Sequence, residues 1–193
     1  MMVVKRIFDV LVSFCGMVFF SPLLLVFCII IKIEDGGPVF FKQERVGYGG
    51  EIFTLYKYRS MVVTAEADGV PHLCEKKDKR LTRTGRFLRE HHLDEFPQLW
   101  NVLKGDMSIV GYRPERKFFV DKILLADSRY TMLYGMRPGI FSSATLYNGY
   151  TDSMEKMLER LRMDLEYMQT WSIWQDIKIV WLTAVSILSG KKF

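Results

Sequence analysis

Residues 10–31 read VLVSFCGMVFFSPLLLVFCIII, a run without a single charged side chain. A run of this length can form a helix that spans the hydrocarbon core of a bilayer. A cleaved signal peptide would have a shorter apolar region and a small-residue cleavage site, whereas here Lys32-Ile33-Glu34-Asp35 follows. The run therefore predicts a membrane helix that stays in the protein.

The middle of the run carries Ser21-Pro22. Proline removes a helix hydrogen bond and clashes with the preceding turn, and a neighbouring serine hydroxyl can bond to the carbonyl that is freed. Basic residues lie on both sides of the run: Lys5, Arg6 and Lys32. The positive-inside tendency assigns both flanks to the cytoplasmic side. We therefore expect residues 1–35 to form a re-entrant helix kinked at Ser21-Pro22, in preference to a single-pass anchor.

The composition fits one domain with a real core, since the chain has 193 residues, 49% of them hydrophobic. A net charge of +5 favours acidic partners such as nucleotide diphosphates or anionic lipid. Nucleic acid is the least favoured partner, because zinc-ligand spacing, RNP-like aromatics and a basic heptad region are all missing from the sequence. Three cysteines, two of them inside the apolar run, argue against a disulfide framework and for a reducing compartment.

The rest of the chain, residues 36–193, predicts an α+β domain that is mostly helical. Strands are expected at 39–45 and 51–59, joined by a glycine turn, with a loop at 65–79. Helices are expected at 84–91, from near Asp94, at 114–126 and from 153 onward, where apolar residues at helical spacing indicate a face that packs on the core. Residues 171–188 combine tryptophans and lysine, which suits either a helix at the membrane surface or a buried core helix.

Two adjacent carboxylates, Asp94 and Glu95, form the candidate catalytic pair. An aspartate can attack phosphorus and form an acyl-phosphate, which splits one difficult transfer into two easier ones. A divalent cation would offset the repulsion between that carboxylate and a pyrophosphate. Cationic side chains nearby could bind phosphate oxygens, arginine bidentately: Lys57, Arg59, Arg89, Arg113 and Arg137.

Taken together, these residues resemble the bacterial sugar transferase family, the monotopic phosphoglycosyl transferases, in the small form that is the catalytic core alone. The resemblance runs nearly end to end. Besides Ser21-Pro22 it rests on Lys5-Arg6-Ile7-Phe8-Asp9, Gly37-Pro38-Val39-Phe40-Phe41-Lys42-Gln43-Glu44-Arg45-Val46-Gly47, Lys57-Tyr58-Arg59-Ser60-Met61, Leu93-Asp94-Glu95-Phe96-Pro97-Gln98-Leu99 and Lys104-Gly105-Asp106-Met107-Ser108.

The resemblance implies a re-entrant helix and a catalytic domain on the cytoplasmic face of the bacterial inner membrane. It implies that Asp94 attacks the β-phosphate of a UDP-sugar with Mg²⁺ present, releases UMP and carries the phospho-sugar covalently. Polyprenyl phosphate, specifically undecaprenyl phosphate, then accepts it, which begins a capsule, O-antigen or exopolysaccharide unit. Asp94 would also be a metal ligand, Glu95 would assist by metal binding or proton handling, and the cations would hold phosphates. A homodimer stays open.

The chain departs from the family pattern at several places, among them Tyr112, where the family usually has proline, and His92, where a small hydroxyl residue is common. Around residues 137–150, Ile140-Phe141-Ser142-Ser143 and Asn148-Gly149-Tyr150 also differ from the usual pattern. That region is expected to touch the sugar or base of the donor, so the donor's identity is left open. Two rival hypotheses are a non-catalytic protein that recruits a glycan-assembly complex and a phosphohydrolase that uses water as acceptor.

Overall fold

A computed structural model describes residues 2–65, 78–148 and 153–189. Its helices are α1 Met2–Asp35, α2 Arg83–Glu90, α3 Gln98–Lys104, α4 Lys117–Ala126, α5 Ser143–Asn148, α6 Met154–Thr170 and α7 Ile173–Leu188. Its strands are β1 Phe40–Val46, β2 Ile52–Tyr58, β3 Ser108–Val110 and β4 Gly139–Phe141, and 3₁₀ segments lie at Tyr48–Gly50, Leu93–Glu95 and Ser128–Gly135. The prediction of a mostly helical domain with a small β element is confirmed.

Helix α1 runs without interruption from Met2 to Asp35, with Pro22 inside it. Among the described residues it is the one helix long and apolar enough to cross a membrane by length and composition. The Ser21 hydroxyl donates to the carbonyl oxygen of Val18 at 2.8 Å. Val18 is the residue to which an amide at position 22 would donate, so the serine replaces the bond that proline removes, as predicted. The re-entrant kink itself stays a prediction.

Contacts with the rest of the protein run along the whole of α1. Near its start, Arg6 donates to the carbonyl oxygens of Val102 and Leu103 at the end of α3, at 2.6 and 2.9 Å. In its middle, the ring of Phe20 meets that of Phe96 edge to face. At its last residue, Asp35 pairs with Arg59. The helix is therefore packed lengthwise on the domain, while much of its outward surface is apolar and exposed.

The predicted hairpin is confirmed. β1 and β2 pair antiparallel from Phe40 opposite Tyr58 to Val46 opposite Ile52. The turn between them uses Gly49 and Gly50 at φ angles of 67° and 79°, a backbone region that side chains with a Cβ rarely adopt. Residues 66–77, most of the predicted loop at 65–79, lie outside the described part of the chain.

A second, parallel pair of strands, β3 with β4, was not predicted. The two backbones come very close at Gly111 and Gly139, where a Cβ on Gly139 would stand 2.0 Å from the amide nitrogen of Gly111. Around this pair lies a core of apolar side chains from several elements: Leu55, Val102, Met107, Ile109, Val110, Ile140, Tyr167 and Ile179. The pair brings the segment after β3 and the segment after β4 side by side.

The helix expected from near Asp94 begins later, at Gln98, and that boundary prediction was wrong. Leu93–Glu95 instead forms a 3₁₀ turn, and Pro97 is the residue that precedes α3. Proline suits the start of a helix because it has no amide to donate, so the chain restarts as a regular helix only after it. Asp94 and Glu95 are thus held in a tight turn between α2 and α3.

The two C-terminal helices, α6 and α7, each bury one face against the domain. In α6 the predicted core-facing stripe is confirmed, with Met157, Leu161 and Leu165 buried. In α7 the core alternative holds in part, because Ile179 is buried while Trp174 and Trp181 are 76% and 68% exposed. The location of α7 at the membrane surface stays a prediction. One face of α7 packs on the domain, and the other presents tryptophan rings outward.

Candidate active site

The turn that carries Asp94 and Glu95 is set by the backbone on either side of it. His92 has a φ of 55° and a ψ of 22°, and it is the one residue other than glycine with a positive φ among those described. Such a conformation is costly for a side chain of this size and persists where surrounding structure enforces it. It turns the chain sharply out of α2, so that Asp94 becomes buried rather than facing solvent.

Glu95 is clamped by two cations. Lys57 Nζ, from β2, lies 2.5 Å from Glu95 Oε1, and Arg113 Nη2 lies 3.1 Å from the same oxygen. Burial by itself raises the pKa of Glu95, but the charges of Lys57 and Arg113 outweigh it and hold that pKa well below its ordinary value. Glu95 is therefore ionised and occupied, and it fixes the positions of both cations.

Asp94, the residue before Glu95, differs from it in its hydrogen bonding. No group in the described part of the chain donates a hydrogen bond to its carboxylate. Burial raises the pKa of Asp94 and the charge of Glu95 adds to that increase, whereas Lys57 and Arg89 act in the opposite direction. A buried carboxylate near cations, with free lone pairs, is suited to attack an electrophile or to bind a metal.

Both carboxylates line a cavity of about 590 Å³. Its polar wall carries five cations and three anions: Arg45, Lys57, Arg89, Arg113, Arg160, Asp94, Glu95 and Glu115. Its apolar wall comes from α1, α3, the segment around β4 and α7, and includes Phe20, Leu99, Ile140, Phe141, Leu146, Val180, Ala184 and Ile187. One cavity thus offers a cationic region and an apolar region to the same ligand or to two ligands.

Four polar residues of this wall or just behind it were missed by sequence reasoning: Arg45, Glu115, Arg160 and Asp164. Glu115 bridges two arginines, with Oε2 at 3.3 Å from Arg45 Nη1 and Oε1 at 2.8 Å from Arg160 Nη1. Asp164, one turn after Arg160 on α6, accepts a bond from the Ser142 hydroxyl at 3.1 Å. Arg160 and Asp164 each precede a residue of the apolar stripe, and that spacing is the signal that could have identified them as buried.

The structure brings together some of the predicted site residues and not others. Lys57, Arg89 and Arg113 line the cavity with the carboxylate pair. Arg59 lies elsewhere and binds Asp35 and the carbonyl oxygen of Pro38 at the end of α1. Arg137 donates to the carbonyl oxygen of Gly105 at 2.8 Å and stacks over Tyr48. Neither of these two guanidinium groups is among the residues that line the cavity.

The predicted Mg²⁺ can be compared with the available ligands. Among the described residues there is no group of three or more histidine, cysteine, aspartate or glutamate side chains that could hold a metal. Mg²⁺ commonly binds through one or two carboxylates together with substrate phosphates and water, so a full protein cage is not required. Asp94, whose carboxylate has no donor among the described residues, fits that mode, whereas one oxygen of Glu95 is already bound by two cations.

A buried carboxylate within a cationic wall, next to an apolar wall, defines a site suited to phosphoryl transfer. The comparisons agree with this class. The family model for bacterial sugar transferases matches residues 1–190 of the chain. The chain therefore belongs to the bacterial sugar transferase family.

Three relatives illustrate the range of the family. A UDP-glucose:undecaprenyl-phosphate glucose-1-phosphate transferase of Caulobacter vibrioides is 40% identical over 96% of this chain and 70% of the relative. A UDP-N-acetylgalactosamine-undecaprenyl-phosphate N-acetylgalactosaminephosphotransferase of Aeromonas hydrophila is 39% identical over 97% of this chain and 44% of the relative. An uncharacterised sugar transferase of Bacillus subtilis, EpsL, is 38% identical over 97% of this chain and 88% of the relative. The chain thus spans less than half the length of some relatives.

Proposed function

We propose that the protein transfers a sugar-1-phosphate from a UDP-sugar to a polyprenyl phosphate, specifically undecaprenyl phosphate, through a phospho-sugar held on Asp94. The observation that carries the proposal is the contrast within the catalytic pair. Glu95 is held by Lys57 and Arg113, whereas the Asp94 carboxylate lines the cavity without a hydrogen bond from any residue that the structure describes. The printed names of the relatives supply the substrate classes.

In the first step an Asp94 oxygen forms a bond to the β-phosphorus, and the bond from that phosphorus to the bridging oxygen breaks. The electron pair of the broken bond stays on the bridging oxygen, which leaves as UMP with two negative charges. The enzyme keeps an acyl-phosphate with one negative charge, so the total charge of the reactants, three negative charges, is unchanged. Arg113 and Lys57, fixed by Glu95, are placed to stabilise the charge that develops on the transferred phosphoryl group.

In the second step an oxygen of the polyprenyl phosphate attacks the same phosphorus, and the Asp94 carboxylate leaves. The product is a polyprenyl diphosphate-linked sugar, and the enzyme is returned to its starting state. Mg²⁺, when bound by Asp94 and substrate phosphates, would reduce the repulsion between these anions. Substrate phosphates also repel one another, and a cavity wall with more cations than anions reduces that repulsion.

The apolar wall supports a lipid acceptor. A UDP-sugar has little apolar surface to bury, whereas a polyprenyl phosphate joins an anionic head to a hydrocarbon chain. Phe20, Leu99 and Ile187 provide apolar surface in the same cavity as the cations. The residues of α1 and α7 that contribute to this wall belong to helices whose outward faces are apolar, with Trp174 and Trp181 exposed. Tryptophan is typical of the membrane interface.

We further propose that both ends of α1 lie on the cytoplasmic side of the bacterial inner membrane. The domain contacts α1 near its start, where Lys5 pairs with Asp176, and at its end, where Asp35 pairs with Arg59. The hydrocarbon core is about 30 Å thick, so one folded domain cannot meet both ends of a helix that crosses it. Single cysteines at Val3 and Ile33, with the native cysteines replaced by serine, should react with an impermeant thiol reagent from the same side. Labelling from opposite sides would contradict this topology.

The reaction is tested with the purified full chain, Mg²⁺ and a panel of UDP-sugars. With donor alone, UMP should appear in an amount equal to the enzyme, and intact mass should increase by one phospho-sugar. With both substrates, double-reciprocal plots should be parallel, because UMP leaves before the acceptor reacts. Intersecting plots with no adduct would favour direct transfer in a ternary complex. Free sugar phosphate formed without acceptor would favour the phosphohydrolase, and the complete lack of UMP with every donor would favour a recruiting protein.

A panel of donors is necessary because sequence identity to the relatives does not identify the sugar of the donor. At nearly equal identity, one relative is named for glucose and another for N-acetylgalactosamine. The segment around Ser142, one of the places where the chain departs from the family pattern, contributes Phe141 and Thr145 to the cavity wall. We expect substitutions at Thr145 to change the preference among donors more than they change the reaction with the acceptor.

A further inference from the structure

One part of the cavity wall is not used by the transferred phosphate in the reaction described above. It is the Glu115 bridge, defined by Glu115 with Arg45 and Arg160. The segment that carries Glu115 is held against the end of β1, since the amide of Val46 donates to the carbonyl oxygen of Glu115 at 3.0 Å. Both arginines line the cavity together with Glu115. The bridge is therefore a rigid, cationic element of the site with no role assigned so far.

The two arginines of the Glu115 bridge differ in what they have left to donate. Both terminal nitrogens of Arg45 have acceptors, because Nη1 donates to Pro114 and Glu115 and Nη2 donates to Gln43. Arg160 is 8% exposed and contacts Glu115 through Nη1. Within the described part of the chain, its Nε and Nη2 have no acceptor. Arg160 therefore retains donors that a ligand in the cavity can take up.

The charges of the cavity wall also favour a second anion. Glu95 neutralises part of the charge of Lys57 and Arg113, and Glu115 neutralises part of that of Arg45 and Arg160. Counted without Asp94, the proposed nucleophile, each of these groups has two cations around one carboxylate and a net positive charge of one. A nucleoside diphosphate has two phosphates, and the two clusters offer one cationic position for each.

We propose that Arg160, held in place by Glu115 and Arg45, binds the phosphate of the departing nucleoside monophosphate. This inference rests on the proposed function and adds a residue that acts on the leaving group. When the bond between the β-phosphorus and the bridging oxygen breaks, the electron pair stays on that oxygen, and the departing phosphate changes from one negative charge to two. A guanidinium with free donors at that position stabilises the charge as it develops. Arg45, whose two terminal nitrogens are occupied, is a positioning residue.

The proposal separates the two half-reactions, because only the first one forms the monophosphate. The test uses the full chain with Arg160→Gln, with Arg160→Lys and with Arg162→Gln as the matched control. Arg162 is an exposed arginine two residues further along the same helix, and it is not among the residues that line the cavity. The rate of UMP release with donor alone should fall about 10²-fold in Arg160→Gln and less in Arg160→Lys, which keeps the charge. Arg162→Gln should behave as wild type.

The second half-reaction is measured on the adduct. Each variant is loaded by long incubation with donor, freed of UMP, and mixed with polyprenyl phosphate or with added UMP. Transfer to polyprenyl phosphate should stay within about two-fold of wild type, whereas reversal should need about 10²-fold more UMP in Arg160→Gln. Equal slowing of both half-reactions, or no change in either, would overturn the assignment. If Arg160→Gln does not fold, Arg160→Lys decides the question, with about ten-fold weaker UMP in reversal expected. A wild-type protein that forms no adduct would instead refute the proposed function itself.

Discussion

Two groups of buried charges in this protein have similar composition and opposite roles. The catalytic cluster consists of Lys57, Asp94, Glu95 and Arg113. The α1 anchor cluster consists of Lys5, Asp9, Ser108, Tyr167 and Asp176. In the anchor cluster each carboxylate oxygen has a donor. The Ile109 amide and the Ser108 hydroxyl donate to the two oxygens of Asp9, and Tyr167 and Lys5 each donate to one oxygen of Asp176. In the catalytic cluster, the Asp94 carboxylate has no donor within the described parts of the chain.

The difference shows what marks a functional site among buried charges. Burying a carboxylate is costly unless its hydrogen bonds are satisfied, and a protein that only needs structure satisfies them. The anchor cluster does so, which ties α1 to β3, α6 and α7. In the catalytic cluster two cations bind one oxygen of Glu95, whereas Asp94 lines the cavity without a donor among the described residues. The free carboxylate, rather than the number of charges, is therefore the feature to test.

The largest effect is expected for Asp94→Asn. An amide cannot attack phosphorus, so UMP release and the adduct should be lost, with activity reduced on the order of 10⁴-fold or more. Stability should not fall, because the change removes a buried charge that repels Glu95. Activity is measured as UMP release, and folding by denaturation in detergent. A variant that retains substantial UMP release would show that Asp94 is not the nucleophile.

Glu95→Gln should have the next largest effect and should lower both the activity and the stability of the protein. The amide keeps the shape but leaves Lys57 and Arg113 without a counter-charge, so both cations lose their fixed positions. We expect activity to fall about 10²- to 10³-fold, together with a lower denaturation midpoint. Glu159→Gln, at an exposed position of α6, is the control and should change neither. A stable Glu95→Gln protein with wild-type turnover would contradict the role of Glu95 in holding Lys57 and Arg113 in position.

Asp176→Asn tests the anchor cluster in the same way. It removes the partner of Lys5 while the amide can still accept from Tyr167, so we expect a loss of about 3 kcal/mol in the free energy of unfolding. Turnover per folded molecule should stay within about two-fold of wild type. The control is Asp121→Asn, which breaks the exposed pair with Lys117 and should change stability by about 0.5 kcal/mol or less. A large loss of turnover in folded Asp176→Asn would erase the distinction between the clusters.

The smallest effect concerns pH and Asp164. Burial raises the pKa of Asp164 to about 7, although the charge of Arg160 opposes the increase. In the unfolded chain this carboxyl ionises near its ordinary value of 3.8, so the folded state binds the extra proton between about pH 4 and pH 7. The stability that Asp164 contributes is complete below pH 4 and is lost as pH rises through 7. Asp164→Asn should flatten this dependence, measured as unfolding midpoints from pH 4 to pH 8. An unchanged pH profile would contradict the raised pKa.

Much of the fold could be predicted because local signals agreed with the final structure. The glycine turn and its flanking β-rich segments define the hairpin, and the stripe of Met157, Leu161 and Leu165 defines the inner face of α6. The parallel strands β3 and β4 could not be predicted, since three residues carry no periodicity and their pairing joins segments far apart in sequence. The helix start after Pro97 was missed because a carboxylate pair before a proline favours a helix start as much as a 3₁₀ turn.

The site was predictable in part for a similar reason. Lys57, Arg89, Asp94, Glu95 and Arg113 stand in motifs whose chemistry is visible in the sequence. Arg59 follows Lys57 by two positions and looks equivalent to it, but β2 ends at Tyr58, and Arg59 turns to Asp35 instead. Only the three-dimensional arrangement shows that Glu115, Arg45 and Arg160 form one unit, because they come from three separate elements.

The packing of α1 has a practical consequence for anyone who wants a fragment for crystallography or screening. Phe20 is part of the cavity wall, and Phe27 and Ile31 are buried against Tyr58 and Leu88. Removing the first 35 residues to gain solubility would therefore open the reaction chamber and expose the core beneath it. The helix also cannot be exchanged for a generic hydrophobic anchor of the same length. Purification should keep the native N-terminus and supply detergent or lipid for its outer face.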